Sequence, residues 1–188
     1  MKHTLAACAI CATFALPAAA ADTYTIDPGH TYPSFEINHL GFSTMRGTFD
    51  ATSGRVKLDP AARSGSIEIS IDTASIDTGH TKRDEHLRSE DFFNVAQFPS
   101  MTYKATRLRF DGDRLAGADG ELTLLGVTRP VSLTLTAFHC GPHPMNKKQV
   151  CGANATATIK RSEFGMKTYV PAVGDEVKIS IEVEAVKD

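Results

Sequence analysis

A period-two alternation of apolar and polar residues recurs along this chain and constrains its fold more than any other feature. Val177, Ile179, Ile181 and Val183 alternate with Lys178, Ser180, Glu182 and Glu184, which on a pleated strand places every apolar side chain on one face. The same rhythm sets Ile67, Ile69 and Ile71 against Glu68 and Ser70, and Val131, Leu133 and Leu135 against Ser132, Thr134 and Thr136. Phe35, Ile37 and His39 likewise oppose Glu36 and Asn38. Helical winding would scatter these residues around an axis. Weaker strand segments fit 47–50, 54–58, 101–110, 114–117, 121–124 and 153–160. The chain therefore reads as roughly eight to ten strands separated by Gly, Pro and Asp turns.

Short connections imply antiparallel order, because parallel neighbours need crossovers of about a dozen residues or more. Only the stretch around 80–93 is long enough to hold other structure. Its Lys82, Arg83, Asp84, Glu85, His86, Leu87 and Arg88 favour a short helical insertion. An all-β barrel or sandwich follows. One strand raises the question of what fills it, since Ala153, Ala155, Ala157 and Ile159 share a face. If that face points inward it either leaves room or meets large residues opposite in a tapered barrel.

Met1 and Lys2 lead into an apolar run at 5–16, followed by Pro17 and by Ala18 to Ala21. A basic start, an apolar stretch too short to span a bilayer and small residues in an A-x-A arrangement read as a signal peptide over 1–21. The domain is then 22–188, delivered to the periplasm. A lipobox-like Leu5-Ala6-Ala7-Cys8 lies in the same run, but the apolar stretch follows that cysteine when it should precede it. The whole chain is 41% hydrophobic. Without the leader the share falls to about 37%, low for a large packed core. Cys8 and Cys11 leave with the leader, so Cys140 and Cys151 remain to pair in an oxidising compartment. Their bridge would close a short loop worth about 3 kcal/mol, and the spacing is not the C-x-x-C of redox motifs.

Several function classes have no anchor here. Twenty Lys and Arg against 22 Asp and Glu, a net charge of −2, provide no basic field for nucleic acid. No apolar run beyond the leader suggests a membrane-spanning segment. There is no G-x-S-x-G, no phosphate-cradling glycine loop and no H-E-x-x-H, so neither catalytic residues nor a metal site is expected. His139 and His143 are separated by Gly141 and Pro142, which disfavour the helix that would bring them together. His39, at the end of an apolar face, reads as a buried group with a structural hydrogen bond or a polar contact to a ligand. Arg83, Asp84 and His86 form the densest polar cluster. They read as a surface helix with Asp84 and Arg88 paired at i, i+4, or as a contact for an anionic head group.

Several motifs in order carry a resemblance. Asp27-Pro28-Gly29-His30-Thr31, then Phe35, Ile37, His39, Gly47 and Phe49, are followed by Arg83-Asp84, His86-Leu87, Asp91-Phe92-Phe93 and Phe98-Pro99. The run from Gly120 to Val131, through Leu125-Gly126-Val127-Thr128-Arg129-Pro130, and then Phe164-Gly165-Met166 complete the set. Together they resemble the YceI-like family of exported bacterial proteins. Leu125 stands where many members carry His, Thr31 replaces a commoner Ser, and the cysteine-flanked loop is an elaboration many members lack.

The resemblance implies a lipocalin-like, elongated antiparallel barrel whose lumen holds a polyisoprenoid or similar long amphiphilic lipid, without catalysis. A bound isoprenoid or quinone-like molecule would be ligand and no other cofactor is implied. The runner-up is an accessory module of envelope stress or electron transfer that acts through protein–protein contacts. A homodimer is compatible with either. Candidate ligand contacts are Phe35, Ile37, His39, Phe42, Phe49, Phe92, Phe93, Phe98, Met101, Tyr103, Met166 and Tyr169, because aromatic and thioether groups accommodate chains of varied shape. Energetics favour a long tail. One isoprene unit contributes about 3–4 kcal/mol on burial at about 0.8 per carbon, against an association cost of about 4–15 kcal/mol.

Overall fold

The computed structural model describes residues 21–188. The leader read over 1–21 thus lies, save for Ala21, outside the described residues. The remainder forms strands β1 (Asp22–Ile26), β2 (Tyr32–His39), β3 (Ser43–Phe49), β4 (Thr52–Asp59), β5 (Ser64–Asp72) and β6 (Ile76–Asp77). Helix α1 (Thr81–Arg88) follows, then β7 (Ser100–Asp111), β8 (Arg114–Leu124), β9 (Val127–Pro142), β10 (Gln149–Lys160) and β11 (Val173–Lys187).

Every pairing is antiparallel, and eight strands close a barrel in the order β1-β4-β5-β7-β8-β9-β10-β11 and back to β1. The closing contact decides between barrel and sandwich. One side of β11 pairs with β10 throughout. Its other side pairs first with β2, Ile179 opposite Phe35, and then with β1, Ala185 opposite Ile26. Strands β1 and β2 are therefore successive pieces of one lane, joined by the Asp27–His30 turn. Asp27 holds that turn, its carboxylate accepting from Gly29 N at 2.9 Å and pairing with His30 Nδ1 at 2.9 Å. Beyond β2, β3 and β6 extend the sheet towards α1, which sits over one end.

The alternating segments form the strands expected of them, with three differences. β1 and β6 are short and lack a long alternation, and sequence reading passes over both. β8 is one continuous strand where two segments, 114–117 and 121–124, are expected. The intervening small residues are a packing requirement, since Ala118 is fully buried and a Cβ at Gly120 would stand 2.7 Å from Tyr103 Cζ. The third difference is α1, which spans only Thr81–Arg88 and is not a paired-charge surface helix. Asp84 is buried and accepts from Thr78 N at 3.0 Å and from the Thr78 hydroxyl. Arg88 donates to the carbonyls of Ala74 at 2.8 Å and Ile76 at 2.7 Å. These bonds fasten α1 over the barrel end.

Cys140 and Cys151 stand directly opposite each other in the β9–β10 ladder and are bonded. They are 11 residues apart in sequence, so the bridge restricts a loop of the unfolded chain worth about 3 kcal/mol. Replacing both with serine should lower unfolding stability by about that amount in urea titration, with the far-ultraviolet spectrum of the folded state unchanged. An unaltered midpoint would show that the hairpin ladder alone holds this end.

Candidate functional site

The alternation that builds the strands leaves an interior face that does not fill. A cavity of about 420 Å³ runs inside the barrel. Along β11 it is lined by Val177, Ile179, Ile181, Val183 and Ala185, eight residue steps along the strand, or about 27 Å. Its far end lies among Leu58, Leu115, Phe138 and Cys151, and its mouth among His39, Arg83, His86, Phe92 and Tyr169. Ala153 and Ala155 line it too, so the alanine face of β10 points inward and makes room. Large residues on neighbouring strands do not take up that space.

The walls are almost wholly apolar, and the polar exceptions are informative. Tyr103 contributes its ring, while its hydroxyl is engaged by backbone carbonyls of Val131 at 3.0 Å and Ala118 at 3.2 Å. Burial pushes that phenol up to about 12, so it remains a neutral donor committed to the wall. Thr52 lines the lumen with a buried hydroxyl that has no hydrogen-bond partner among the described residues. The charged and imidazole side chains along the cavity are Arg46, Arg83, Arg161, His39 and His86, and among the described residues no carboxylate lines it.

Arg161 is the group that sequence reading missed. It follows Lys160 and precedes Ser162 and Glu163, a surface-like context, yet it is only 3% exposed. Its guanidinium donates to the carbonyls of Gly174 at 2.8 Å, Val173 at 3.0 Å and Met166 at 3.2 Å. Burial pushes its pKa below the ordinary arginine value, and Asp175 opposes that shift. The fork thereby fixes the 161–174 segment, which carries Met166 and Tyr169 into the lining. Arg83 is held differently, donating to the Thr78 hydroxyl at 2.7 Å and the Thr78 carbonyl at 2.6 Å. Arg46 pairs with Glu36 at 2.8 Å.

The structure brings Phe35, Ile37, His39, Phe49, Phe92, Phe93, Met101, Tyr103, Met166 and Tyr169 together around this one cavity. Edge contacts order the aromatic members, Phe49 against Phe93 at 5.4 Å and His86 against Phe92 at 5.0 Å between centroids. Phe42 and Phe98 lie outside the lining. Phe42 sits on the β2–β3 turn, 89% exposed, and Phe98 covers Gly126 of the β8–β9 turn, where a Cβ would meet its ring at 3.0 Å. Both stand outside the strands, where alternation says nothing about direction. His139 and His143 border a separate surface groove near the disulfide hairpin.

A closed antiparallel barrel enclosing an elongated apolar lumen, with arginine and histidine side chains at its mouth and a helix over one end, defines a lipocalin-like protein. The YceI-like domain model matches residues 24–185. The chain belongs to the YceI-like family. It is 40% identical over 179 residues to the protein YceI of Escherichia coli O6:H1, covering 93% of this chain and 92% of that one. Among solved structures, BcnA of Burkholderia cenocepacia is similar with a TM-score of 0.72 and 25% identity, covering 85% of this chain and 98% of that chain. A polyisoprenoid-binding domain from Saccharophagus degradans shares the fold with a TM-score of 0.65 at 16% identity, covering 88% of this chain and 98% of its own.

Proposed function

We propose that the protein binds one long-chain isoprenoid lipid, or a quinone-like amphiphile with such a tail, by burying the tail in the lumen without chemistry. On this reading it is exported by its leader and works in the periplasm, where Cys140 and Cys151 can form their bridge. The observation that carries the proposal is a continuous apolar lumen along five inward-facing residues of β11. The name of the Saccharophagus domain, polyisoprenoid-binding, supports the same ligand class.

The lumen sets a length. About 27 Å along a strand becomes about 20 Å along the axis of a barrel whose strands tilt by about 40°. An extended chain covers about 3.3–3.6 Å per three bonds, so the tail spans about 17 bonds, or roughly four isoprene units. At about 3–4 kcal/mol per unit, four units supply about 12–16 kcal/mol gross against an association cost of about 4–15, whereas two supply only about 6–8.

Titration with isoprenoid alcohols of increasing length tests this directly. Binding should strengthen with each added unit up to about four and then level off. Lack of uptake at every length, or affinity independent of length, would overturn the reading.

A further inference from the structure

The β2–β3 turn breaks two local rules at once. Phe42 N donates to His39 O at 3.0 Å across Leu40 and Gly41, whose φ values are 57° and 76°. Positive φ at both central positions is a type I′ turn, which favours Asn-Gly, and a leucine in left-handed backbone is uncommon and costs free energy. The turn is also apolar where turns are usually polar, with Leu40 49% and Phe42 89% exposed. Leu40 N donates to Ala172 O at 3.0 Å, which places the turn beside the segment carrying Tyr169. Tyr169 is likewise left-handed, at φ 61°, and 58% exposed. Three exposed apolar side chains, two of them on unfavourable backbone, thus gather at the lip of the cavity. Conflicts between local preference and structure concentrate where function requires them.

Resting on the lipid-binding reading above, we propose that this lip docks on a lipid bilayer bearing anionic head groups. Phe42 and Leu40 enter the interfacial layer, and the mouth faces the membrane from which the tail is drawn. Size and charge select a bilayer over a protein. An aromatic side chain buries about 150–250 Å² at most, so three tips offer roughly 500 Å² or less, below the about 800 Å² per partner of a stable protein interface. Shallow insertion of a few apolar side chains supported by cations is sufficient on a membrane surface. Arg83 supplies the cation at the mouth, where Arg46 is paired with Glu36 at 2.8 Å and His86 faces Asp91 at 3.3 Å, and no acidic residue among those described lines the cavity itself. Arg83 has no carboxylate partner among the described residues. A tail passing directly from bilayer to lumen also avoids exposing its hydrocarbon to water, a cost of about 0.8 kcal/mol per CH₂.

Flotation with vesicles of phosphatidylcholine, with and without a minority of phosphatidylglycerol, tests the proposal. The wild-type protein should float with the anionic vesicles more than with the neutral ones, and added salt should weaken the association. Phe42→Ser should reduce flotation at least about tenfold. Leu40→Asn should reduce it too while leaving the melting temperature equal or higher, since asparagine suits this turn; a purely structural role for Leu40 would move the two together downwards. Uptake of soluble dansyl-farnesol, which reports the lumen alone, should be the same in all three proteins. Absence of wild-type flotation, or equal flotation of Phe42→Ser, would overturn membrane docking. Capture of a protein partner through Phe42 with no vesicle association would reassign the lip and overturn it as well. Failure of the lumen reading looks different, with vesicle binding intact and no dansyl-farnesol uptake in any of the proteins.

Discussion

Ala155→Phe is expected to empty the barrel while leaving it folded. Ala155 is 5% exposed, lines the cavity, and lies between Leu135 of β9 and Ile181 of β11 in the ladder. Ile181 is midway between Val177 and Ala185, so a benzyl group there divides the lumen and cuts off its far half. About two isoprene units lose their seat, which at about 3–4 kcal/mol each removes about half of the gross burial energy. Affinity for a four-unit isoprenoid should fall at least about hundredfold. Stability should change little, because burying the ring contributes about 1.5–3 kcal/mol and crowding costs a similar about 1–3. Mass spectrometry of lipid extracted from the purified variant, beside its melting temperature, checks both halves. A folded variant that still carries lipid in full amount would show that the tail does not occupy this part of the lumen.

Arg161→Met is expected to destabilise the fold more than Ala155→Phe, Phe42→Ser or Leu40→Asn. Methionine retains much of the stem volume but deprives three backbone carbonyls of their donor. Each buried acceptor left unmatched costs about 1–3 kcal/mol, and relief of the desolvated charge offsets part of the total. A net loss of about 3 kcal/mol or more should appear as an earlier urea midpoint with little change in slope. Arg161→Lys should fare little better, because one ammonium cannot reproduce a planar fork that reaches Met166, Val173 and Gly174 together. Lipid uptake should weaken in parallel, since this segment presents Met166 and Tyr169 to the cavity. A midpoint within about 0.5 kcal/mol of wild type would show that water or neighbouring groups replace the guanidinium.

Much of the site is legible in the sequence because a strand's pleat is local. Once Ile179 and Ile181 face inward, so do Val177 and Val183, and the candidates on strands fall into the lumen with them. Phe42 and Phe98 go astray because residues in turns obey no such period. Asp84 and Arg88 go astray for a related reason. Their i, i+4 spacing permits a pair, but Thr78, Ala74 and Ile76 compete for them only after the chain folds back over the barrel end. Arg161 carries no signal at all, since its partners are backbone carbonyls up to 13 residues away, and carbonyls are the same in every sequence.

The strands, their faces, the antiparallel order and the cysteines available to pair all follow from spacing along short stretches of chain, and the sequence alone suffices to set them. Closure of the sheet is a property of the folded molecule, because it depends on β1 meeting β11, with Tyr24 opposite Lys187 at the far end of the chain. That closure in turn makes the alanine face of β10 the boundary of a lumen. Whether small residues leave a void depends on what stands across from them, which no strand specifies about its neighbours.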